Sequence, residues 1–328
     1  MPVQVTIIGL GQTGISLGLA LAGHKDKVFV TGHDKEYSAE RLAKHKGAVD
    51  ATNHNLPGSV ENADLILLAI PVHAVRDTFR YIAPDLKKDA VVVDLCPVKA
   101  EAAKWAKESL PAHSHYVGLV PVTGAAYLHE TETGRDAAQA DLFSRSVFLL
   151  SAPPGTPGEA IKLVSDLVGL IGATTMIADI PESDGLMVSA RLLPQLTSAA
   201  LLNATIDQPG WQEVRKVAGR AYFSATSAFG EDGDAAALSM SSLHNRENVV
   251  HGLNRLITAL IELRDDIEDG KEDSLKERFE SARKGRETWL TQRGKADWLG
   301  VEKAAVEKIS VMEQLLGSKL GKSRKKNG

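Results

Sequence analysis

The stretch "VQVTIIGLGQTG" (residues 3–14) decides the fold. A β-branched apolar run ends at a glycine, and Gly9, Gly11 and Gly14 follow with the spacing G-x-G-x-x-G. That pattern is weak alone, but here it leaves a strand and opens a helix, the context in which it carries a mechanism. The glycines let the turn tighten and let the backbone approach a diphosphate. Free N–H groups and the dipole of the helix N-terminus then face the anion. Leu10, Gln12 and Thr13 complete the turn and are expected beside the same ligand. Asp34 follows Gly14 by twenty residues, just past a second strand. A carboxylate there accepts from both ribose hydroxyls and repels a 2′-phosphate, which favours NAD over NADP. The neighbouring Lys35 softens that preference, so NADP stays open. The competing reading is a glycine-rich turn with no ligand.

Working outward, "KVFVTG" (27–32), "DLILLAIPV" (64–72), "DAVVVDL" (89–95), "HYVGLV" (115–120) and "SVFLL" (146–150) are further strand-like runs, and "TTMIADI" (174–180) is a candidate last strand. Runs apolar on both faces suit a parallel sheet covered by helices, and the helical spacing between them completes the βαβ pattern of a doubly wound fold. Ile70 and Pro71 close the third run, and Cys96 and Pro97 close the fourth. Both pairs are expected in the crevice at the carboxyl edge of the sheet. Cys96 there reads either as a reactive thiol or as a small packed one.

After Pro181 the strand signals fade and apolar residues recur at helical spacing. Three long helices are expected, over 182–206, 243–268 and 271–293, the first capped near Glu182 or Ser183 and kinked by Pro194. The expected organisation is a dinucleotide-binding Rossmann-type domain over 1–180, an all-helical substrate and dimerisation domain over 181–316, and a basic disordered tail over 317–328.

The composition is that of an ordinary soluble protein, with 43% hydrophobic and 24% charged residues. A net charge of −4 leaves no electrostatic footprint of a nucleic-acid binder. The single cysteine fits a reducing compartment. The N-terminus lacks the pattern of a signal peptide, and no apolar run is read as approaching the ~20 residues that span a bilayer. A cytoplasmic protein without membrane partners is expected. Among the ten histidines, His113-x-His115 has no partner at ligand spacing, so no metal is expected.

The order of "IIGLGQTGISLGLAL", "GHDK", "ADLILLAIPV", "DLCPVK" and "VGLVPVTG" resembles the prephenate/arogenate dehydrogenase family. The likeness extends through "ESDGLMVSARLLPQLTSAALLNA" to "LHNRENVV", spanning roughly residues 3 to 290. It implies a Rossmann domain followed by a dimerising helical domain. It also implies NAD(P)-dependent oxidation of prephenate or arogenate, with loss of carbon dioxide as the ring becomes aromatic, on the way to tyrosine. The departures are specific. The family's histidine in G-G-H-P-M-A-G falls on Val120, and the serine of D-x-G-S-V-K falls on Pro97. The histidines of H-D…S-H-L-P-H fall on Ser183, Leu192 and Gln195. Asp94, Lys99, Asp184 and Pro194 match, whereas the arginine of F-x-x-x-T-R has no counterpart in "RAYFSATSA" (220–228).

Replacement groups are therefore sought. Thr123, Tyr127 and His129 share the loop after "VGLVP" and are candidates to bond a substrate hydroxyl, His129 being equally a solvent-exposed loop histidine. Lys99 either steers a carboxylate or is a surface lysine. Arg191, in an otherwise apolar helix, pairs either with a substrate carboxylate or with Asp184 two turns earlier. Gln195 takes the place of a family histidine. His244 and Arg246, at the start of a long helix, either line the interdomain cleft or cap and solvate that helix. The alternatives to a prephenate or arogenate dehydrogenase are the same fold acting on another cyclic or hydroxy acid, and a dinucleotide-binding regulatory protein without catalysis. In each case the long amphipathic helices predict a homodimer.

Overall fold

The computed structural model describes residues 1–130, 132–229 and 235–296. All seven apolar runs read as strands become strands: β1 (Val3–Ile8), β2 (Val28–His33), β4 (Leu65–Leu68), β5 (Val91–Asp94), β6 (His115–Val120), β7 (Val147–Ser151) and β8 (Thr174–Ile177). An eighth, β3 (Ala51–Thr52), pairs with Thr31 and Gly32; two residues are too few to show a period. The order is β3-β2-β1-β4-β5-β6-β7-β8. The chain winds out from β1 to β3, then returns to β4 on the other side of β1. That reversal is the switch point at which an open sheet forms its ligand crevice. Every pairing is parallel except β6 with β7. A parallel return needs a long crossover, usually a helix. Among its described residues the segment 121–146 holds only two short 3₁₀ turns, at Ala125–Tyr127 and Arg135–Ala137.

Alternate strand residues feed two cores. Val5, Ile7, Leu65, Leu67, Val91 and Val93 pack on one face, and Ile8, Ile66, Leu68 and Val92 on the other. The first face is covered by α1 (Gln12–Leu21), α2 (Tyr37–His45) and, farther along the chain, a helix at Gly158–Leu170. The second is covered by α3 (Leu56–Val60), α4 (Val72–Ile82) and α5 (Lys99–Ser109). All four residues of β4 are buried to within 1%. Burying such a side chain contributes roughly 1.5–3 kcal/mol, so a doubly covered strand needs no polar face.

With Gly158–Leu170 as α6, the chain leaves the sheet into α7 (Ile180–Met187). The Asp179 carboxylate caps α7 by accepting from Glu182 N at 2.7 Å, so the helix starts slightly before the expected Glu182 or Ser183. A π-turn at Val188–Leu192 joins α7 to α8 (Leu193–Ile206). The predicted interruption at Pro194 thus takes the form of a π-turn just before it, where a wider turn accommodates the missing N–H. The helices α9 (Trp211–Val217), α10 (Arg220–Thr226), α11 (Ala235–His244), α12 (Arg246–Glu268) and α13 (Glu272–Lys295) follow. The long helix expected from 243 therefore starts later: Leu243 and His244 end α11, and Asn245 stands at the junction. The 27-residue helix Ile180–Ile206 corrects one expectation, since by length and composition it is apolar enough to cross a membrane. The described residues of Met1–Leu275 form one compact unit, and the described residues from Lys276 belong to a second. The predicted tail over 317–328 lies outside the described residues.

Candidate active site

The glycines after β1 divide their labour. Gly9 has φ +94°, and a Cβ there would stand 2.4 Å from the Ala69 carbonyl oxygen. A Cβ on Gly14 would stand 2.0 Å from the Gly9 carbonyl oxygen, so α1 packs down onto the turn only because that position is bare. A Cβ on Gly11 meets nothing within 4 Å. Gly9 and Gly14 thus serve the fold, and Gly11 leaves its free side to the crevice. This is the cradle a diphosphate needs at a helix N-terminus. Asp34, 8% exposed, accepts from Leu10 N through Oδ2 at 2.8 Å and from Glu36 N through Oδ1 at 2.9 Å. Its own N–H donates to Glu40 Oε1 at 3.1 Å. The carboxylate is fixed at the end of β2, and its unused lone pairs suit ribose hydroxyls. The residues present therefore fit a dinucleotide: Gly11, Gln12 and Thr13 at the diphosphate and Asp34 at the ribose.

Two cavities open beside this turn. The first, about 470 Å³, takes its wall from Gly11, Thr13, Ile70, Pro71, Cys96 and Pro97, and from Ser241 of α11. The second, about 610 Å³, runs under the 121–146 segment past Gln12, Thr123, Tyr127 and Met187. Thr13, Pro121, Arg191 and Gln195 line both. Each volume lies in the ~300–1,000 Å³ span of small-molecule sites. The π-turn supplies Arg191 and α8 supplies Gln195, so the helical half contributes a cation and an amide to the place where the cavities meet.

Beneath the crevice lies a buried charge cluster. Lys99 and Asp94 are both fully buried. The ammonium donates to Asp94 Oδ1 at 2.8 Å, to Asp94 O at 2.9 Å and to Leu119 O at 3.2 Å. Asp94 also accepts from Cys96 N at 3.0 Å and from Tyr116 OH at 2.5 Å. An ammonium has three protons, and all three are used. One lysine thus ties the end of β5, which carries Cys96 and Pro97, to β6, which carries Val120 and Pro121. Asp184 of α7 adds a second tie. It accepts from the N–H groups of Lys99 and Ala100 at 2.5 and 3.0 Å, capping α5 from another element. Burial pushes the Asp184 carboxyl above its usual range, against the pull of these donors and of Lys99. Asn245 Nδ2 donates to Asp184 O at 2.8 Å, and so fastens the α11–α12 junction to α7.

This geometry sorts the expected site residues. Gly11, Gln12, Thr13, Ile70, Pro71, Cys96, Pro97, Thr123, Arg191 and Gln195 come together around the two cavities. Gly9, Leu10, Gly14 and Asp34 support them from behind. Lys99 is a correction: it is neither a surface lysine nor a crevice group, because its charge is consumed inside the fold. His129 and Arg246 are solvent-exposed, as is Lys35. His244 turns to α5, where its ring meets Trp105 edge-on at 5.3 Å and Nδ1 lies 3.8 Å from Glu101 Oε2. Asp184 is committed to α5. Tyr127 donates to Asp141, which pushes its hydroxyl up to about 12. Burial, then the Asp94 charge, push the Cys96 thiol well up, so packing describes it better than reactivity. Ser183, at a family histidine position, is fully buried, and its Oγ has no partner among the described residues. Sequence reading missed Ser241, which lines the first cavity with 2% exposure, because a small polar residue in an apolar helix carries no distinguishing signal.

Comparison with known proteins bears on this arrangement. The family model for the prephenate dehydrogenase nucleotide-binding domain matches residues 17–177. A cyclohexadienyl dehydrogenase of Zymomonas mobilis is 27% identical over 291 residues, which cover 86% of this chain and 94% of that protein. A crystal structure of prephenate dehydrogenase from A. aeolicus with hydroxyphenyl propionate and NAD+ superposes with a TM-score of 0.77. It is 21% identical and covers 88% of this chain and 98% of the other. Synechocystis arogenate dehydrogenase gives a TM-score of 0.69 at 21% identity, over 87% of this chain and 99% of the other.

Proposed function

We infer that this chain, which belongs to the prephenate/arogenate dehydrogenase family, is an NAD-dependent dehydrogenase that oxidises and decarboxylates a cyclohexadienyl acid. The observation that carries the reading is the meeting of the two cavities at Thr13, Pro121, Arg191 and Gln195, beside a glycine turn open at Gly11. NAD, when bound, supplies a hydride acceptor. The chain's own residues orient and bind: Asp34 and the turn hold the dinucleotide, and Arg191 and Gln195 hold the acid. Good orientation alone contributes up to about 7–11 kcal/mol to such a reaction.

The chemistry of the wall favours this substrate class over a simple hydroxy acid. Oxidising a hydroxy acid to its keto form releases a proton together with the hydride, and that proton needs an acceptor. In a cyclohexadienyl acid the hydride leaves the carbinol carbon while the bond to the ring carboxylate breaks. The electron pair of that bond completes the aromatic ring, carbon dioxide departs and the hydroxyl keeps its proton. No base is consumed. The described residues lining the first cavity include no imidazole or carboxylate, and the two carboxylates that line the second, Glu130 and Glu132, are solvent-exposed. A histidine at position 120 would help by bonding the hydroxyl, and general acid–base help is typically worth about 10²–10⁴-fold. With Val120 there, slow turnover of the same substrate class is expected.

Purified protein with NAD and either prephenate or arogenate should raise the nicotinamide absorbance and release one carbon dioxide per hydride. Arg191→Met should raise KM at least about tenfold, as loss of a charged hydrogen bond does. No absorbance change with both acids and both dinucleotides would overturn the substrate assignment. A role in tyrosine formation, a cytoplasmic location, a homodimer through the helical half, and the division at residue 180 belong to the same proposal.

A further inference from the structure

The segment between β6 and β7 does more than close the second cavity. Its second 3₁₀ turn crosses from α1 to α2. Gln12 Nε2 donates to Ala137 O at 3.2 Å, and Gln139 N donates to Ser16 Oγ at 3.1 Å. Lys46 Nζ donates to the carbonyls of Arg135 and Asp136 at 3.2 and 3.1 Å. Arg135 is thereby anchored at the ribose end of the crevice, ninety-nine residues from its partner. Its Nη1 lies 2.8 Å from Glu36 Oε2. The Glu36 backbone N–H donates to Asp34 Oδ1, so the three residues form one connected group.

We propose that Glu36 and Arg135 set the choice of dinucleotide: Glu36 occupies the guanidinium that would otherwise receive a 2′-phosphate. This rests on the dinucleotide reading above and extends it to residues outside the glycine motif. With Asp34, Glu36 and the Glu40 that accepts from Asp34 N opposed by Arg135 and Lys35, the formal charge of the group is one net negative, which suits two ribose hydroxyls and opposes a phosphate. An arginine fork matches a phosphate bidentately, so the capacity to bind NADP is present but engaged. The ion pair is part-exposed, at 32% and 49%, and pairs of that kind are weak because solvent screens them. Releasing Arg135 therefore costs the fold little. The burden of Glu36 and Asp34 on Arg135 also shows as a guanidinium held above its ordinary range, chiefly by the Glu36 hydrogen bond.

The test is equilibrium binding of NADH and NADPH to the full-length protein, followed by nicotinamide fluorescence and requiring no substrate. Glu36→Gln should tighten NADPH about tenfold and leave NADH within about twofold, the size expected for one gained charge-assisted contact. Adding Arg135→Ala should abolish that gain, and NADH binding retained in both variants shows that they fold. Unchanged NADPH affinity in Glu36→Gln would overturn the proposal. So would a gain that survives in the double variant, because removing an acid would then be the whole effect. If the unaltered protein bound neither dinucleotide, the cofactor reading would fall, and this inference with it.

Discussion

Lys99 shows how a residue matched to a family motif acquires a different meaning from its surroundings. A lysine at the mouth of a crevice invites a role in steering a carboxylate. Here the ammonium has no exposure and its three donors are satisfied by Asp94 and Leu119. Its removal would leave Asp94 buried and uncompensated, a change that typically costs ~3–5 kcal/mol. Lys99→Met should therefore lower unfolding stability by about that amount in chemical denaturation. If stability were kept and only turnover fell, the structural role assigned to Lys99 would be wrong. Arg191 is the contrasting case. It stands half-buried in the π-turn of an apolar helix and lines both cavities. Val120 illustrates a third situation: the frame of Pro121 and Gly124 persists while the polarising group is absent, so the position is legible as a loss but not as a gain.

At the scale of elements, the strand–turn–helix unit at residues 3–21 rests on two bare Cα atoms facing inward and one facing outward. The contrast is testable. Gly14→Ala brings a Cβ to 2.0 Å from the Gly9 carbonyl oxygen and should destabilise the fold by about 3 kcal/mol. Gly11→Ala meets nothing and has an extended φ of −78°, so unfolding stability should stay within about 1 kcal/mol. Its NADH affinity should nonetheless fall more than about tenfold, since the methyl stands where the diphosphate approaches. Equal effects of the two variants on stability would contradict this division. The π-turn at Val188–Leu192 is the corresponding device in the helical half. Pro194 cannot donate to the helix ladder, and the wider turn before it carries Arg191 at the place where the cavities meet. Asp184, one turn earlier, spends its carboxylate on capping α5, which locks that helix to the crevice floor.

Among the described residues, one helix presents an apolar stripe that is uncovered. On α12, Val250, Ile257, Leu260, Ile261 and Ile267 are each exposed to between 43% and 60%. A helix with a wide apolar face is stable in water only when that face is covered, and a second copy is the simplest cover. Light scattering should give twice the chain mass of 35.1 kDa. The pair of changes Ile257→Lys and Leu260→Lys should return a folded monomer, and a monomer from the unaltered chain at micromolar concentration would contradict the dimer. The apolar helix Ile180–Ile206 fits the same account, because it carries both the packed residues Val188 and Leu192 and more exposed ones such as Leu186 and Ile206.

What the amino-acid order determined by itself is local and periodic. The doubly apolar strands, the glycine turn and the acidic residue after β2 are written within short windows, because strand period, turn strain and anion binding act over a few residues. Their conjunction already implied a Rossmann-type sheet and NAD. Only the tertiary structure decided which charges are spent inside the fold. The Asp184 carboxylate meets the backbone N–H of Lys99 across eighty-five residues, and Arg135 meets Glu36 across ninety-nine. No window of sequence holds both partners, and in a folded chain the partner determines whether a charge is available for chemistry.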